Sequence, residues 1–570
     1  MLPVMVNIAD ISLDRRTALS WGAAGAAAAG LSATGVAHAQ LSSGRTAQQP
    51  SKYQPIDAEL PFLHGVASGD PLPSSVVLWT RVTPDRDALP GSGLGVDVRV
   101  RWEIARDPDF ADVVASGEAV ASAAHDHTVH VDPHGLEAAT VYYYRFTVAD
   151  GSHAGATSPV GRTKTAPAAD AEVEQVNFAI ASCANWESGY FAAYKDMAAQ
   201  GQADAFDCVV FLGDYIYEYG TGEYVGKSGV VRPHHPSWEI VTVEDYRMRY
   251  GRYRTDAHLQ AAHAAAPWVV IWDDHETANN SWRHGAENHT DGYAEGTWPV
   301  RFNAAMQAYY EWMPLRQTRP SKEGHLYRNM RFGTLVELTM MDLRSYRDAE
   351  TTLARYSAPD RTMMGSEQYQ WLERTVTNSQ ARWMVMGNSV MMAPMRLLTI
   401  PGNPDADAAL QHVKATTSGF PLNSDQWDGY TADRDRLLTL LAQRGGRNLF
   451  LTGDIHSEWA NSIFHQGKEV ACEMVTTSIS APNIDDLLTQ YTGIPHNEDN
   501  PTTILVENTL RGANPWVRHV DFDAHGYGIA RISSDRVDME FRRVSSLADN
   551  NASVAPAVSV SWAPGSGFGS

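Results

Sequence analysis

Apolar and polar residues alternate along the first part of the chain with the short period of β-strands. Residues 96–104, Val-Asp-Val-Arg-Val-Arg-Trp-Glu-Ile, alternate without a break, which is the pattern of a half-buried strand. Further strands are expected at residues 76–82 and 140–146, and turn residues separate the three at sandwich-like intervals. The pattern predicts a small immunoglobulin- or fibronectin-like β-sandwich over residues 59–167.

A second pattern begins near residue 168, where continuous apolar runs alternate with helical stretches. The runs expected to form buried strands are residues 176–181, 208–212, 268–272, 335–341, 383–386 and 448–452. Helices are expected at residues 190–199, 243–265 and 431–443. This alternation is typical of an α/β domain, which we expect over residues 168–545. Residues 546–570, rich in Ser, Ala, Pro and Gly, are expected to form a loosely held C-terminal tail.

The N-terminal residues 1–39 have the pattern of a twin-arginine export signal. Arg15 and Arg16 precede an Ala- and Gly-rich run, and small residues at 37 and 39 fit a cleavage site. The alternative, a membrane span, needs about 20 strongly apolar residues, which this run lacks. We therefore expect export by the twin-arginine translocase to the periplasm or the exterior, with the polar residues 40–58 as a linker.

The composition excludes several classes of protein. A length of 570 residues predicts more than one domain. The 45 basic and 67 acidic residues give a net charge of −22, which argues against specific nucleic-acid binding through phosphate contacts. Three cysteines predict no disulfide framework. Cys208 and Cys472 lie within apolar runs and are expected to be buried, whereas Cys183 lies at the end of a run.

Four of the apolar runs are followed by side chains that can bind metals. The segments that follow them are Ser182-Cys183, Gly213-Asp214-Tyr215-Ile216-Tyr217-Glu218, Asp273-Asp274-His275-Glu276 and Gly453-Asp454-Ile455-His456. Taken singly, Asp214 is typical of a turn and His456 of a buried core histidine. Because open α/β sheets bind ligands at the carboxyl ends of their strands, the conjunction favours a shared metal site.

The types of ligand predict two classes of metal in that site. Carboxylate oxygens suit calcium, magnesium or manganese, whereas thiolate and imidazole suit transition metals. Tyrosinate is a ligand of ferric iron in proteins. The combination of Cys183, Tyr217 and His456 with several aspartates therefore indicates a polynuclear centre.

The ordered set of motifs resembles the PhoD-like alkaline phosphatases, within the calcineurin-like metallophosphoesterase superfamily. The matching segments are residues 64–71, 78–81, 181–183, 213–218, 272–276, 342–347, 387–392, 427–430 and 453–457. The resemblance covers nearly the whole chain after the export signal. It implies a four-layer α/β/β/α catalytic domain with one ferric iron and two calcium ions.

The resemblance also implies roles for individual residues. Cys183, Tyr217 and His456 would bind iron, and Asp214 would bridge iron and calcium. Asp454 would be a calcium ligand.

The rest of the calcium shell is implied less completely by the resemblance. Asp274 and His275 stand where the wider superfamily has a Gly-Asn-His motif. Asn280, or alternatively Asn279, would complete the calcium shell, and Asn388 is a further candidate.

The function implied is hydrolysis of phosphate monoesters and diesters by a metal-activated water. Arg247 is our first choice for binding the phosphate, because arginine matches phosphate oxygens bidentately; the alternative is a solvated helix face. His275 would protonate the leaving oxygen or, alternatively, orient Asp274. Two other functions stay open: a phospholipase D-type diesterase that cleaves phospholipid headgroups, and a non-catalytic extracellular binding protein.

Overall fold

The computed structural model describes residues 60–292, 294–316, 325–351, 355–397, 420–421, 423–486 and 501–569. The predicted export signal, residues 1–39, and the linker, residues 40–58, lie outside the described residues. Within the described ranges, no helix has both the length and the apolar character that crossing a bilayer requires.

Strands and helices alternate through most of the described chain. The strands are β1 (Val66–Leu72), β2 (Ser75–Arg81), β3 (Val98–Ala105), β4 (Val113–Ala121), β5 (Thr128–Val131), β6 (Val141–Val148), β7 (Gly161–Lys164), β8 (Gln175–Ala181), β9 (Cys208–Leu212), β10 (Trp268–Ile271), β11 (Arg328–Phe332), β12 (Val336–Met340), β13 (Trp383–Asn388), β14 (Arg396–Leu397), β15 (Phe420–Pro421), β16 (Asn448–Thr452), β17 (Glu458–His465), β18 (Lys468–Val475), β19 (Val517–Asp521), β20 (Gly526–Ser533), β21 (Val537–Val544), β22 (Val554–Ala563) and β23 (Gly567–Phe568). The α-helices are α1 (Ala192–Gln202), α2 (Val243–Tyr253), α3 (Ala257–Ala265), α4 (Trp298–Trp312), α5 (Gly365–Asn378), α6 (Thr431–Arg444) and α7 (Pro501–Ala513).

The larger main sheet has ten strands, in the order β23-β22-β21-β20-β8-β9-β10-β1-β2-β5. Its central strands β8, β9, β10 and β1 are parallel, and β20 pairs with β8 in the antiparallel direction. Every residue of β9 and β10 is buried. This burial explains why these strands are continuous apolar runs in the sequence, since parallel strands are covered on both faces.

The second main sheet has seven strands, in the order β11-β12-β13-β16-β18-β17-β19. The two sheets share one apolar core, in which the rings of Phe178 and Phe332 lie 5.2 Å apart. Side chains of α1 to α4 belong to this core, whereas α5 and α6 pack on the other face of the seven-stranded sheet. The predicted α/β/β/α fold is therefore confirmed.

The N-terminal β-sandwich shares a sheet with the α/β region. Its first layer is the four-stranded sheet β4-β3-β6-β7, and its second layer is β1, β2 and β5, the end of the ten-stranded sheet. Leu78 and Phe146 are members of the apolar core between the layers. The connection is the parallel pair of β1 with β10, where Gly69 lies opposite Trp268.

The C-terminal residues differ from the loosely held tail that their composition predicts. Residues 554–563 form β22, which pairs with β21 at the edge of the ten-stranded sheet. Trp562 in β22 is 1% exposed and donates a hydrogen bond to Glu469 at 2.9 Å. Trp562 and the partly buried Val558 and Val560 therefore attach this segment to the apolar core.

The predicted helix 243–265 is divided into α2 and α3. The carboxylate of Asp256 accepts hydrogen bonds from the backbone N–H groups of His258 and Leu259, so Asp256 is the N-cap of α3. The interruption places Arg254 between the two helices.

Gly69 gives a test of the connection between the two regions. A β-carbon at this position would meet the carbonyl of Pro314 and would lie 2.7 Å from that of Trp268. Gly69→Ala should therefore lower the free energy of unfolding by about 2 kcal/mol, the usual cost of overpacking, as measured by urea denaturation. Gly446→Ala is the control, because a β-carbon there would meet no atom within 4 Å. Equal stability of the two variants would contradict a close β1–β10 contact.

Candidate metal centre

The ligand-bearing residues lie at the carboxyl ends of strands from both main sheets. Cys183 follows β8, Asp214 follows β9 and Asp454 follows β16, and all three are buried. Their φ angles are +60°, +57° and +65°, and that of His456 is +52°. Such angles are uncommon for residues other than glycine and cost backbone energy, which is typical of functional sites.

A close approach between the turns after β9 and β10 depends on Gly213. Its φ angle is +95°, and a β-carbon at this position would clash with the Asp273 side chain. Only glycine therefore lets Asp214 and Asp273 lie side by side without displacement of one strand end.

The first cluster combines sulfur, nitrogen and oxygen ligands. Ligand atoms of Cys183, Asp214 and His456 all lie within 4.8 Å of one another. Tyr217 Oη lies 3.0 Å from His456 Nε2 and 3.1 Å from Asp214 Oδ2. His456 Nδ1 is bonded to the carbonyl of Pro482 at 2.5 Å, so Nε2 is the nitrogen that faces the cluster. Thiolate, phenolate and imidazole are ligands that suit a transition metal.

The second cluster consists of carboxylates and continues from the first through Asp214. Asp214, Asp274 and His275 form one candidate group of ligands, and Asp273, Asp274 and Asp454 form another. Asp274 Oδ2 accepts a hydrogen bond from the backbone of Asn280 at 2.6 Å, and Oδ1 has no hydrogen-bond partner among the described residues. Oxygen ligands of this kind suit calcium.

The density of buried carboxylates at the site also favours the binding of cations. Burial raises the pKa of Asp214 well above its ordinary value; neighbouring Asp274, Asp273 and Glu276 raise it further, and His275 opposes them. Buried carboxylates at this density are costly unless positive charge compensates them. The residues present therefore fit the metals that the sequence implies.

Glu276 holds the two strand ends together. Its carboxylate accepts backbone hydrogen bonds from Asp214 at 3.1 Å, Tyr215 at 2.6 Å and Asp273 at 2.8 Å. Burial raises the pKa of Glu276 to about 7. The sequence assigns no role to Glu276, although it belongs to the segment that follows the third run.

His275 lies at the edge of the cluster and bonds a second glutamate. Its Nδ1 lies 2.7 Å from Glu218 Oε2, and its ring lies 4.3 Å from that of Tyr217. Burial lowers the pKa of His275, but the charges of Asp274, Glu218 and Asp214 outweigh it and raise this pKa to about 10. The ring hydrogen bond of His275 is therefore to Glu218 and not to Asp274.

Arg344 is the arginine that reaches the carboxylates, and the sequence assigns it no role. It is 2% exposed, and its guanidinium bonds Asp273 at 2.5 and 2.7 Å, Asp425 at 2.9 Å and Asp454 at 3.2 Å. The segment 342–347 belongs to the resemblance, but nothing local to it indicates which strand ends it will meet.

The structure contradicts the roles predicted for Arg247 and Asn388. The Arg247 guanidinium makes two bonds of 2.7 Å to Glu311 and so connects α2 to α4. Asn388 Oδ1 accepts a hydrogen bond from Trp427 at 2.8 Å, and its Nδ2 donates to Thr452 at 2.9 Å. Both side chains are therefore committed to packing within the fold.

Asn280 is better placed than Asn279 to take part in the carboxylate cluster. The amide groups of both residues donate to Glu287, at 2.8 and 2.7 Å. The backbone N–H of Asn280 bonds Asp274, whereas that of Asn279 bonds Glu218 at 2.7 Å. Of the two, Asn280 is the one directly joined to a candidate ligand.

Substitution of Arg344 tests the electrostatic balance of the site. In metal-free protein, Arg344→Met should lower the free energy of unfolding by about 3–5 kcal/mol, because Asp273 loses its buried counter-ion, whereas Asp425 keeps Arg347. The control is Arg355→Met, since the Arg355–Asp360 pair is exposed and its loss should change the free energy of unfolding far less. Urea denaturation measures both variants, and equal losses would contradict the role given to Arg344.

Comparisons with known proteins identify the family of the chain. The model of the PhoD-like phosphatase family matches residues 178–541, and that of the family's N-terminal domain matches residues 46–167. Alkaline phosphatase D of Bacillus subtilis (strain 168) is 41% identical over 444 residues, which cover 75% of this chain and 70% of that protein. A solved structure of PhoD superposes with a TM-score of 0.76 at 36% identity, over 90% of this chain and 93% of the other. The chain belongs to the PhoD-like phosphatase family.

Proposed function

We propose that this protein is an exported, metal-dependent phosphatase that hydrolyses phosphate monoesters and diesters. The observation that carries the proposal is the meeting of Cys183, Asp214, Tyr217 and His456 in one buried cluster, joined through Asp214 to further carboxylates. Membership of the PhoD-like family and the similarity to an alkaline phosphatase support the phosphate-ester class.

The donor set supports two kinds of cation. Cys183, Tyr217 and His456 would hold a ferric iron, which Asp214 would share with calcium. Asp274, Asp454 and Asn280 would contribute to the sites of two calcium ions. When bound, these cations would neutralise the phosphoryl oxygens and lower the pKa of the water that attacks phosphorus.

The chain itself supplies a proton and a fixed geometry. His275 is held by Glu218 and would protonate the leaving oxygen as its bond to phosphorus breaks. Glu276 fixes the turns that carry Asp214 and Asp273, and Arg344 fixes Asp273 and Asp454. Since these groups are buried and mutually bonded, the carboxylates need little rearrangement when substrate binds.

The place of action is proposed from the sequence. The twin arginines, the Ala-rich run and the small residues at 37 and 39 support export through the twin-arginine translocase. That route carries folded proteins, which suits an enzyme whose ligands converge only after folding.

Chelation and a panel of substrates test the proposed reaction. Protein of measured iron and calcium content should hydrolyse p-nitrophenyl phosphate and bis(p-nitrophenyl) phosphate. Turnover should fall to background after calcium chelation and return when calcium is restored. Undiminished turnover in metal-free protein would overturn the proposal. Release of headgroups from phosphatidylcholine with no aryl phosphatase activity would favour a phospholipase D-type enzyme, and a silent, metal-replete protein would favour a binding protein.

Tyr217 gives a spectroscopic test of the iron ligands. Ferric tyrosinate absorbs visible light, so Tyr217→Phe should lose the visible band while the calcium content stays unchanged. Tyr215→Phe is the matched control, because the Tyr215 hydroxyl bonds His263 instead of the cluster and the band should persist. A band that survives Tyr217→Phe would exclude Tyr217 as the iron ligand.

A further inference from the structure

Arg249, in α2, lies in the interior beside the segment that carries Tyr217. It is 0% exposed, and every hydrogen bond of its side chain within the described residues is to a main-chain carbonyl. The acceptors are the carbonyl oxygens of Tyr217, Tyr219 at 3.1 Å, His235 at 3.3 Å, Pro236 at 2.9 Å and Trp238 at 3.2 Å. Because a guanidinium stays protonated in proteins, these bonds are charge-assisted and stronger than bonds between neutral groups.

The five carbonyls belong to two segments, residues 217–221 and 235–240, that form neither helix nor strand. Buried carbonyl groups outside regular secondary structure need donors from elsewhere in the protein. Two main-chain hydrogen bonds also join the segments: Thr221 N–H donates to Ser237 and Ile240 N–H donates to Glu218, each at 2.9 Å. Arg249 therefore binds both segments at once and holds them against α2.

The segment 217–221 presents two side chains to the metal centre. Tyr217, whose carbonyl Arg249 binds, places Oη 3.0 Å from His456 Nε2. Glu218 lies between the two bound carbonyls of Tyr217 and Tyr219, and its carboxylate lies 2.7 Å from His275 Nδ1. Arg249 thus acts on both side chains through their main chain.

Arg247, on the same helix, provides a matched comparison. Residues two apart on an α-helix point about 200° apart around its axis, and Arg247 accordingly binds Glu311 on α4. It is 6% exposed, so both arginines are buried. Loss of either arginine should destabilise the fold, but only loss of Arg249 should release the segments 217–221 and 235–240.

We propose that Arg249 is a positioning residue, which fixes Tyr217 and Glu218 at the metal centre by binding the main chain around them. A ligand that is held in place before the cation arrives loses less conformational freedom on binding, so affinity is higher. The inference rests on the proposed function, because that function assigns Tyr217 to iron and the Glu218–His275 pair to proton transfer.

Hydrogen exchange tests the contact itself. The full chain is used as purified, with its metal content measured; the amides of Thr221 and Ile240 are the reporters, and those of β9 report on the fold as a whole. Arg249→Met should speed exchange at the reporters by about 10-fold relative to β9, because their hydrogen bonds open locally. Arg247→Met should leave this ratio unchanged. Equal ratios in the two variants would overturn the proposal.

Iron binding tests the consequence for the site. In Arg249→Met, the iron affinity measured by competition with a chelator should fall by about 10-fold or more, and the visible tyrosinate band should shift or weaken. Arg247→Met should keep the wild-type affinity and band. Equal iron affinities in the two variants would overturn the positioning role. A wild-type protein that binds no iron would instead overturn the proposed function, while the exchange ratios would still decide whether Arg249 fixes the segments.

Arg249→Lys covers the case in which Arg249→Met does not fold. It keeps the buried charge, but an ammonium group has one nitrogen with three donors and cannot bind all five carbonyls. It should therefore also speed exchange at Thr221 and Ile240 and weaken iron binding. Wild-type exchange and wild-type iron affinity in a folded Arg249→Lys protein would overturn the proposal.

Discussion

The concentration of negative charge at one buried edge is the constraint on which the rest of the structure depends. Asp214, Asp273, Asp274 and Asp454 are all at most 4% exposed, and their side chains approach one another closely. The negative charges of these carboxylates repel one another strongly in a low-dielectric interior. The fold tolerates it because Arg344 supplies a fixed positive charge and because the remaining ligands suit cations.

The backbone at the site is also strained. Residues that follow β8, β9 and β16 adopt left-handed conformations, which are uncommon for residues other than glycine. These conformations persist because surrounding contacts determine them, such as the Glu276 carboxylate that bonds the turns after β9 and β10. Strain and charge are therefore concentrated where the ligands are, while β9 and β16, which lead into these turns, are buried along their whole length.

The sequence predicts the centre of the site better than its surroundings. Cys183, Asp214, Asp454 and His456 could be predicted as ligands because each follows an apolar strand, and ligands bind at the carboxyl ends of such strands. The sequence does not show that β8 and β9 belong to one sheet and β16 to the other. Arg344 could not be placed in this way, since its partners come from separate segments that only the tertiary structure unites. The role predicted for Arg247 was wrong because its partner, Glu311, lies on another helix. The local sequence around Arg247 contains no signal of that contact.

The strands are likewise predictable from local sequence, whereas their pairing depends on contacts between distant segments. The buried strands β9 and β10 are evident as apolar runs, whereas the sequence contains no signal that β1 will pair with β10.

The pairing of β1 with β10 limits how the molecule can be divided into separate domains. A protein without its first 167 residues would present β10 as an open parallel edge, with unsatisfied backbone N–H and C=O groups beside an apolar surface. Such an edge invites pairing between copies. By covering this edge, the N-terminal region protects the catalytic region against such pairing. The boundary between the two regions is therefore a poor site for truncation or domain exchange, even though the two family models meet there.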